Sequence, residues 1–154
     1  MRVTIIGTGY VGLVTGVCLA EIGHTVSCVD IDTEKINRLR NAQSPIYEPG
    51  LEELIRRNIQ HERLFFRTDL KNCLDVDAVF IALGTPESAD GSADLRQVFA
   101  VSKEIAAYIE KDLLVVVKST VPVGTCDQVQ QDIDEILKKR NVAHRVFVAS
   151  NPEF

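Results

Sequence analysis

A chain of 154 residues, 45% hydrophobic and 25% charged, is the size of one domain. Chains of this length bury roughly 70% of the surface they expose when unfolded, which excludes a fibre or a disordered tail. The formal charge of -5, with 17 Lys and Arg scattered along the chain, lacks the basic face that phosphate neutralisation needs, so no nucleic acid is expected as a partner. No run reaches the ~20 apolar residues of a membrane span, and Val3 to Gly7 is too short for the apolar region of a signal peptide, so a cytoplasmic protein without a membrane partner is expected.

Short β-branched runs alternate with longer segments of helical period, the pattern of βαβ units and of a parallel sheet covered on both faces. The first strand, 2–6, runs into Gly7-Thr8-Gly9-Tyr10-Val11-Gly12, a GxGxxG that opens a helix over 10–22. Each glycine has its own duty there: Gly7 for the tight turn, Gly9 for close approach of a pyrophosphate, Gly12 for helix–strand packing. The N–H groups of Tyr10, Val11 and Gly12 then lie at a helix N-terminus, where the dipole favours negative charge. Gly16 is read as a packing residue against the sheet, and Gly23 as the left-handed residue that ends the helix.

A second strand, 25–30, closes on Asp30, 18 residues after Gly12. An acid at that place accepts hydrogen bonds from ribose hydroxyls. Asp32 adds a second carboxylate or is simply a solvated loop acid. With no arginine directly following, a 2′-phosphate meets only repulsion, so the expected cofactor is NAD rather than NADP.

Thr33 is the expected N-cap of a helix over 33–41, and Tyr47-Glu48-Pro49-Gly50 leads into another over 50–58. Beyond these the pattern predicts a strand over 64–67, a helix over 69–74, a strand over 78–83, a turn at Asp90-Gly91 and a helix over 95–110 capped by Asp94. A strand over 113–118, a helix over 123–140 and a strand over 145–149 complete the chain. Six strands are the complement of a Rossmann fold: a doubly wound parallel sheet of order 3-2-1-4-5-6 with helices on both faces, one dinucleotide-binding domain over 1–154. Cys18, Cys28, Cys73 and Cys126 show no CxxC spacing, so no metal site or disulfide is expected and the thiols are read as reduced and mostly buried.

Four stretches in order carry a more specific likeness: IIGTGYVGLVTG around Gly7 to Gly12, SPIYEPGLEEL from Ser44 to Leu54, GTPESADGSADL from Gly84 to Leu95, and KSTVPVGT from Lys118 to Thr125 with SNPEF from Ser150 to Phe154. Through them the whole chain resembles the UDP-glucose/GDP-mannose dehydrogenase family. YEPGL, DGSADL and KSTVPVGT look more like members that oxidise UDP-glucose than those that oxidise GDP-mannose or UDP-N-acetylmannosamine.

The resemblance implies oxidation of a sugar C6 alcohol to the carboxylate, UDP-glucose to UDP-glucuronate, with two NAD and a cysteine thioester. It also implies that the cysteine, lysine and asparagine of that chemistry lie past Phe154, in a C-terminal UDP-sugar-binding domain joined by a connecting helix, and that the full-length protein is a homodimer. None of the four cysteines falls in the family's nucleophile motif. Carried over position by position, Thr85 contacts the nicotinamide half of NAD, Lys35 lies near its adenosine end, and Thr120 contacts the cofactor. Thr120 and Glu153 are the candidate catalytic pair that positions a water or assists proton transfer. Glu153 and Phe154 are the candidate substrate contacts.

Each of these residues also has a plainer role: turn former for Thr85, solvated lysine for Lys35, turn cap for Thr120 and terminal acid for Glu153. The segment 47–50 is read two ways, as a helix-entry turn organised by Pro49 or, as the resemblance implies, as a loop bordering the active site. A non-catalytic NAD-binding module is the competing function. A methyltransferase is disfavoured by Gly12. A short-chain reductase is disfavoured because Tyr108 and Lys111 are three residues apart where that chemistry wants four.

Overall fold

A computed structural model describes residues 1–152. Its strands are β1 (Arg2–Ile6), β2 (Thr25–Val29), β3 (Leu64–Arg67), β4 (Ala78–Ile81), β5 (Leu113–Val117) and β6 (Val146–Ser150). They form one parallel sheet in the order β3-β2-β1-β4-β5-β6, as the alternation of elements predicts. The helices are α1 (Tyr10–Glu21), α2 (Thr33–Arg40), α3 (Leu51–Gln60), α4 (Arg96–Tyr108) and α5 (Thr125–Lys139).

The central strand shows why the sheet needs cover on both faces. Val3 and Ile5 pack with Leu13, Val17, Ile36, Leu39 and Ile55 under α1, α2 and α3. Ile6, on the other face, joins Val79, Val98, Ile105, Val129 and Ile133 under α4 and α5. Thr4 also faces that side, and its buried hydroxyl is satisfied by donating to the Cys73 carbonyl at 2.5 Å. A fully buried Ile or Leu is worth about 1.5–3 kcal/mol relative to exposure, so two such layers are what orders the sheet.

Helix α1 rests directly on the strands. A Cβ on Gly16 would lie 2.6 Å from Cys28 Sγ, so this glycine is indeed a packing residue. The helix ends at Gly23, φ +102°, whose N–H donates to Ala20 O while that of His24 donates to Leu19 O, the paired bonds of a Schellman motif.

Five expectations are corrected. Thr33 is the first residue of α2, and the cap is Asp32, whose Oδ1 accepts from Lys35 N–H at 2.9 Å. The segment 69–74 makes only a 3-10 turn, Lys71–Cys73, because Asp69 takes up the Lys71 N–H and the chain must turn at once into β4. Helix α5 starts at Thr125 rather than residue 123: Gly124, φ +90°, completes a turn in which Thr125 N–H donates to Pro122 O. Cys18 is exposed on the outer side of α1, and Cys126 is only partly covered, so only Cys28 and Cys73 are buried thiols. Asp94 is not the cap of α4, which is Leu95 with no side-chain bond; one residue earlier, Asp94 accepts from Arg96 N–H at 3.0 Å. Asp90-Gly91 does turn the chain, with Gly91 at φ +83°.

The outer edge of β6 is sealed by a side chain. Gln130 of α5 donates from Nε2 to Val146 O and accepts from Val148 N–H at Oε1, both at 2.9 Å, so one amide stands in for a seventh strand.

Candidate functional site

The strand order reverses between β1 and β4, and a crevice opens there at the carboxyl ends of the strands. Two cavities meet in it, about 640 Å³ on the β2 side and about 270 Å³ on the β5 side, with Gly9, Ala82, Leu83 and Gly84 common to both walls.

The glycine turn forms the floor. Gly7, φ +98°, donates its N–H to Val29 O at 2.8 Å, and a Cβ there would lie 2.5 Å from Ala82 O. A Cβ on Gly12 would lie 2.0 Å from Gly7 O, which fixes how closely α1 seats on the turn. Gly9 is different: a Cβ there meets nothing within 4 Å, because that position faces the open crevice. The first intrahelical bond of α1 is Leu13 N–H to Gly9 O, and no side chain caps the helix, so its first turn and the positive end of its dipole face the crevice.

Asp30 closes the β2 end. Its Oδ2 accepts from Thr8 Oγ1 at 2.6 Å, Thr8 N–H at 3.0 Å and Lys35 Nζ at 2.7 Å, and its Oδ1 accepts from Asp32 N–H at 3.0 Å. Burial by itself would raise the pKa, but the Lys35 ammonium, the Thr8 hydroxyl and the two backbone donors outweigh it and hold the carboxyl at about 2. The anion is therefore permanent at neutral pH, and Oδ1, with one donor only, keeps room to accept another. Between Asp30 and α4 the larger cavity is mostly apolar, walled by Ile31, Leu70, Ala100 and Val101 with Gln97 and Glu104 at its polar margin.

At the β5 end the loops after β4 and β5 are tied twice. The Thr85 hydroxyl donates to Thr120 O at 2.7 Å, and the buried Ser119 hydroxyl donates to Leu83 O at 2.7 Å. Thr85, Thr120, Tyr10 and Val11 line the smaller cavity. Asn151, just past β6, donates its N–H to Val117 O at 2.9 Å, which brings the ends of β5 and β6 side by side.

Of the candidate residues, then, Gly7, Gly9, Asp30 and Lys35 border the larger cavity, Gly9, Tyr10, Val11, Thr85 and Thr120 the smaller, and Gly12 lies beneath. Glu153 and Phe154 lie outside the described residues. No cysteine lines either cavity, and burial pushes the Cys28 thiol up to about 12. Tyr108 and Lys111 sit at the opposite edge of the sheet, where Lys111 pairs with Asp75 at 2.8 Å and Lys71 stands over the Tyr108 ring. Sequence reasoning missed Thr8 and Ser119 and singled out Glu48 only as part of the segment 47–50; a hydroxyl between the first two glycines was the one visible hint for Thr8, and the bonds of the other two span 36 and 38 residues.

Fold and crevice together define a dinucleotide-binding Rossmann domain. Comparison with known proteins makes this specific. The model of the UDP-glucose/GDP-mannose dehydrogenase family, NAD binding domain, matches residues 1–154. UDP-glucose 6-dehydrogenase YwqF of Bacillus subtilis is 52% identical over all of this chain and 34% of its own length. The UDP-glucose 6-dehydrogenase of Pseudomonas aeruginosa is 50% identical over the same shares. Among solved structures, a UDP-glucose dehydrogenase from Pyrobaculum islandicum superposes with a TM-score of 0.91 at 40% identity, covering 99% of this chain and 36% of the other. A ternary complex of GDP-mannose dehydrogenase from Pseudomonas aeruginosa does so with 0.92 at 39%, covering 100% and 36%.

The chain belongs to the UDP-glucose/GDP-mannose dehydrogenase family and is its NAD-binding domain. It spans about a third of the length of the curated relatives it matches.

Proposed function

We propose that this domain holds NAD for the oxidation of UDP-glucose at C6, with the residues named above as the site. The observation that carries the reading is the crevice itself: one continuous groove runs from a permanent carboxylate, Asp30, past an open Gly9 to the hydroxyl pair Thr85 and Thr120. Asp30 Oδ1 accepts from the adenosine ribose, and Lys35 donates beside it. The apolar slot against α4 takes the adenine. The N-terminus of α1, with Tyr10, Val11 and Gly12, faces the pyrophosphate over Gly9. Thr85 and Thr120 then border the nicotinamide.

NAD, when bound, accepts hydride. Two such steps and one water convert the C6 alcohol to the carboxylate with release of two NADH and three protons. The part of this chain is to orient the cofactor and keep its reacting face dry, with Thr120 and Glu153 positioning a water or assisting proton transfer. UDP-glucose is favoured over GDP-mannose because the curated relatives at 52% and 50% identity are UDP-glucose enzymes. The cysteine thioester of the family is proposed for the whole protein, with no nucleophile assigned among Cys18, Cys28, Cys73 and Cys126.

Fluorescence titration with NADH and NADPH tests the cofactor reading. Saturable NADH binding, weakened by Asp30→Ala and poorer for NADPH, is expected; binding of neither overturns it. For the substrate, the full-length protein should form two NADH per UDP-glucose and turn over GDP-mannose and UDP-N-acetylmannosamine far more slowly. The reverse preference would reassign the sugar, and NAD binding without turnover of any would leave a non-catalytic module.

A further inference from the structure

The Tyr10 side chain leaves the first turn of α1, and its hydroxyl donates to Oε2 of Glu48 at 2.6 Å. This bond spans 38 residues and joins the glycine turn to the segment 44–50, which precedes α3. That segment is itself tightly held. Ser44 N–H donates to Glu52 Oε1 at 2.8 Å, Ser44 Oγ donates to Ile46 O at 2.8 Å, and Ile46 packs against the buried core of α1 and α3. Glu48 is the first residue of a turn with Pro49 next and Gly50 third, at φ +80° and ψ -7°, closed by Leu51 N–H donating to Glu48 O at 3.1 Å. These are the dihedral and residue choices of a type II turn, in which proline and glycine leave the backbone little freedom. The Glu48 carboxylate is thus presented from a rigid mount.

Tyr10 also lines the smaller cavity, with Thr85 and Thr120 across from it. Tyr10 is 55% exposed, so packing restrains its ring only in part. The hydrogen bond to a carboxylate adds a restraint, being roughly twice as strong as one between neutral groups.

Resting on the cofactor reading above, we propose that Glu48 is a positioning residue of the NAD site: through the Tyr10 hydroxyl it holds the Tyr10 ring as the wall against which the nicotinamide packs. The effect is local to one end of the cofactor. Asp30, Lys35 and the adenine slot lie on the other side of Gly9 and do not touch this pair.

The test compares NADH with ADP-ribose, which carries the same adenosine and pyrophosphate without the nicotinamide. Calorimetric titrations of the wild-type chain, Glu48→Ala, Tyr10→Phe and Glu48→Gln are compared. Loss of a charge-assisted hydrogen bond predicts NADH affinity about 5- to 10-fold lower for Glu48→Ala and Tyr10→Phe, with ADP-ribose affinity unchanged within about twofold. Glu48→Gln, whose amide oxygen still accepts from the Tyr10 hydroxyl, should recover most of the NADH affinity. Equal losses for both ligands would show a structural role of the 44–50 segment and overturn the proposal, as would unchanged NADH binding in Glu48→Ala and Tyr10→Phe. If the wild-type chain bound neither ligand, the cofactor reading would fail with it. Wild-type binding of both with no effect of the substitutions overturns only the role of Glu48.

Discussion

The Lys35 ammonium lies 2.7 Å from Asp30 Oδ2, on the same oxygen that Thr8 reaches with both its hydroxyl and its N–H. A carboxylate held by three donors on one oxygen is oriented before any ligand arrives, and its other oxygen, with one donor, is the one left to accept a further bond. Asp30 and Lys35 therefore act as one unit.

That unit sets a pH dependence. The folded pKa of Asp30, about 2, lies below its ordinary 3.8, so the stabilisation is complete above about pH 4 and is lost as the pH falls through 2. A depression of this size corresponds to on the order of 2 kcal/mol. Carboxyl carbon NMR of Asp30 should give a midpoint near the low value, and Lys35→Ala should move it upward, because burial then acts with one fewer opposing donor. The stability gap between wild type and Asp30→Asn, from urea unfolding, should narrow between pH 4 and pH 2. A midpoint at 3.8 that ignores Lys35 would contradict the geometry.

The glycines of the fingerprint separate stability from binding. Gly12→Ala gains up to about 1 kcal/mol of helix propensity, but its Cβ would overlap Gly7 O at 2.0 Å, and backbone cannot yield cheaply; a net loss of about 2 kcal/mol or more is expected. Gly9→Ala meets nothing within 4 Å, so unfolding free energy should change by less than about 1 kcal/mol while NADH affinity falls, because the new methyl enters the space proposed for the pyrophosphate. Urea melts and NADH titration of the two variants should show opposite rankings.

Gln130 offers a test away from the site. Gln130→Ala frees Val146 O and Val148 N–H at the sheet edge, a loss of about 1–2 kcal/mol, and opens the edge to pairing with another chain. Faster hydrogen exchange at Val148 and concentration-dependent association in light scattering are the expected signs. Gln130→Glu should restore the bond from Val148 but not the one to Val146.

The sequence by itself determined the sheet order, the place of the crevice, and the glycine turn and acid on its walls, because these rest on local signals. Alternation of β-branched runs with helical periods defines the strands, three glycines define the turn, and an acid at the end of the second strand marks one wall of the larger cavity. Gly16 and Gly23 were legible for the same reason. Only the tertiary structure decided what long-range geometry controls. That Asp32 and not Thr33 caps α2 depends on where β2 releases the chain. Three further helices close through left-handed residues that no glycine announces, Ala42, Glu62 and Asn141, because packing and the paired terminal bonds outweigh a strain of about 1–2 kcal/mol each. Thr8 on Asp30, Ser119 on the Leu83 carbonyl and Glu48 on Tyr10 are bonds across 22, 36 and 38 residues, set by which loops the folded sheet brings to one edge. A residue's type and spacing state what it can bond; only the closed sheet states to whom.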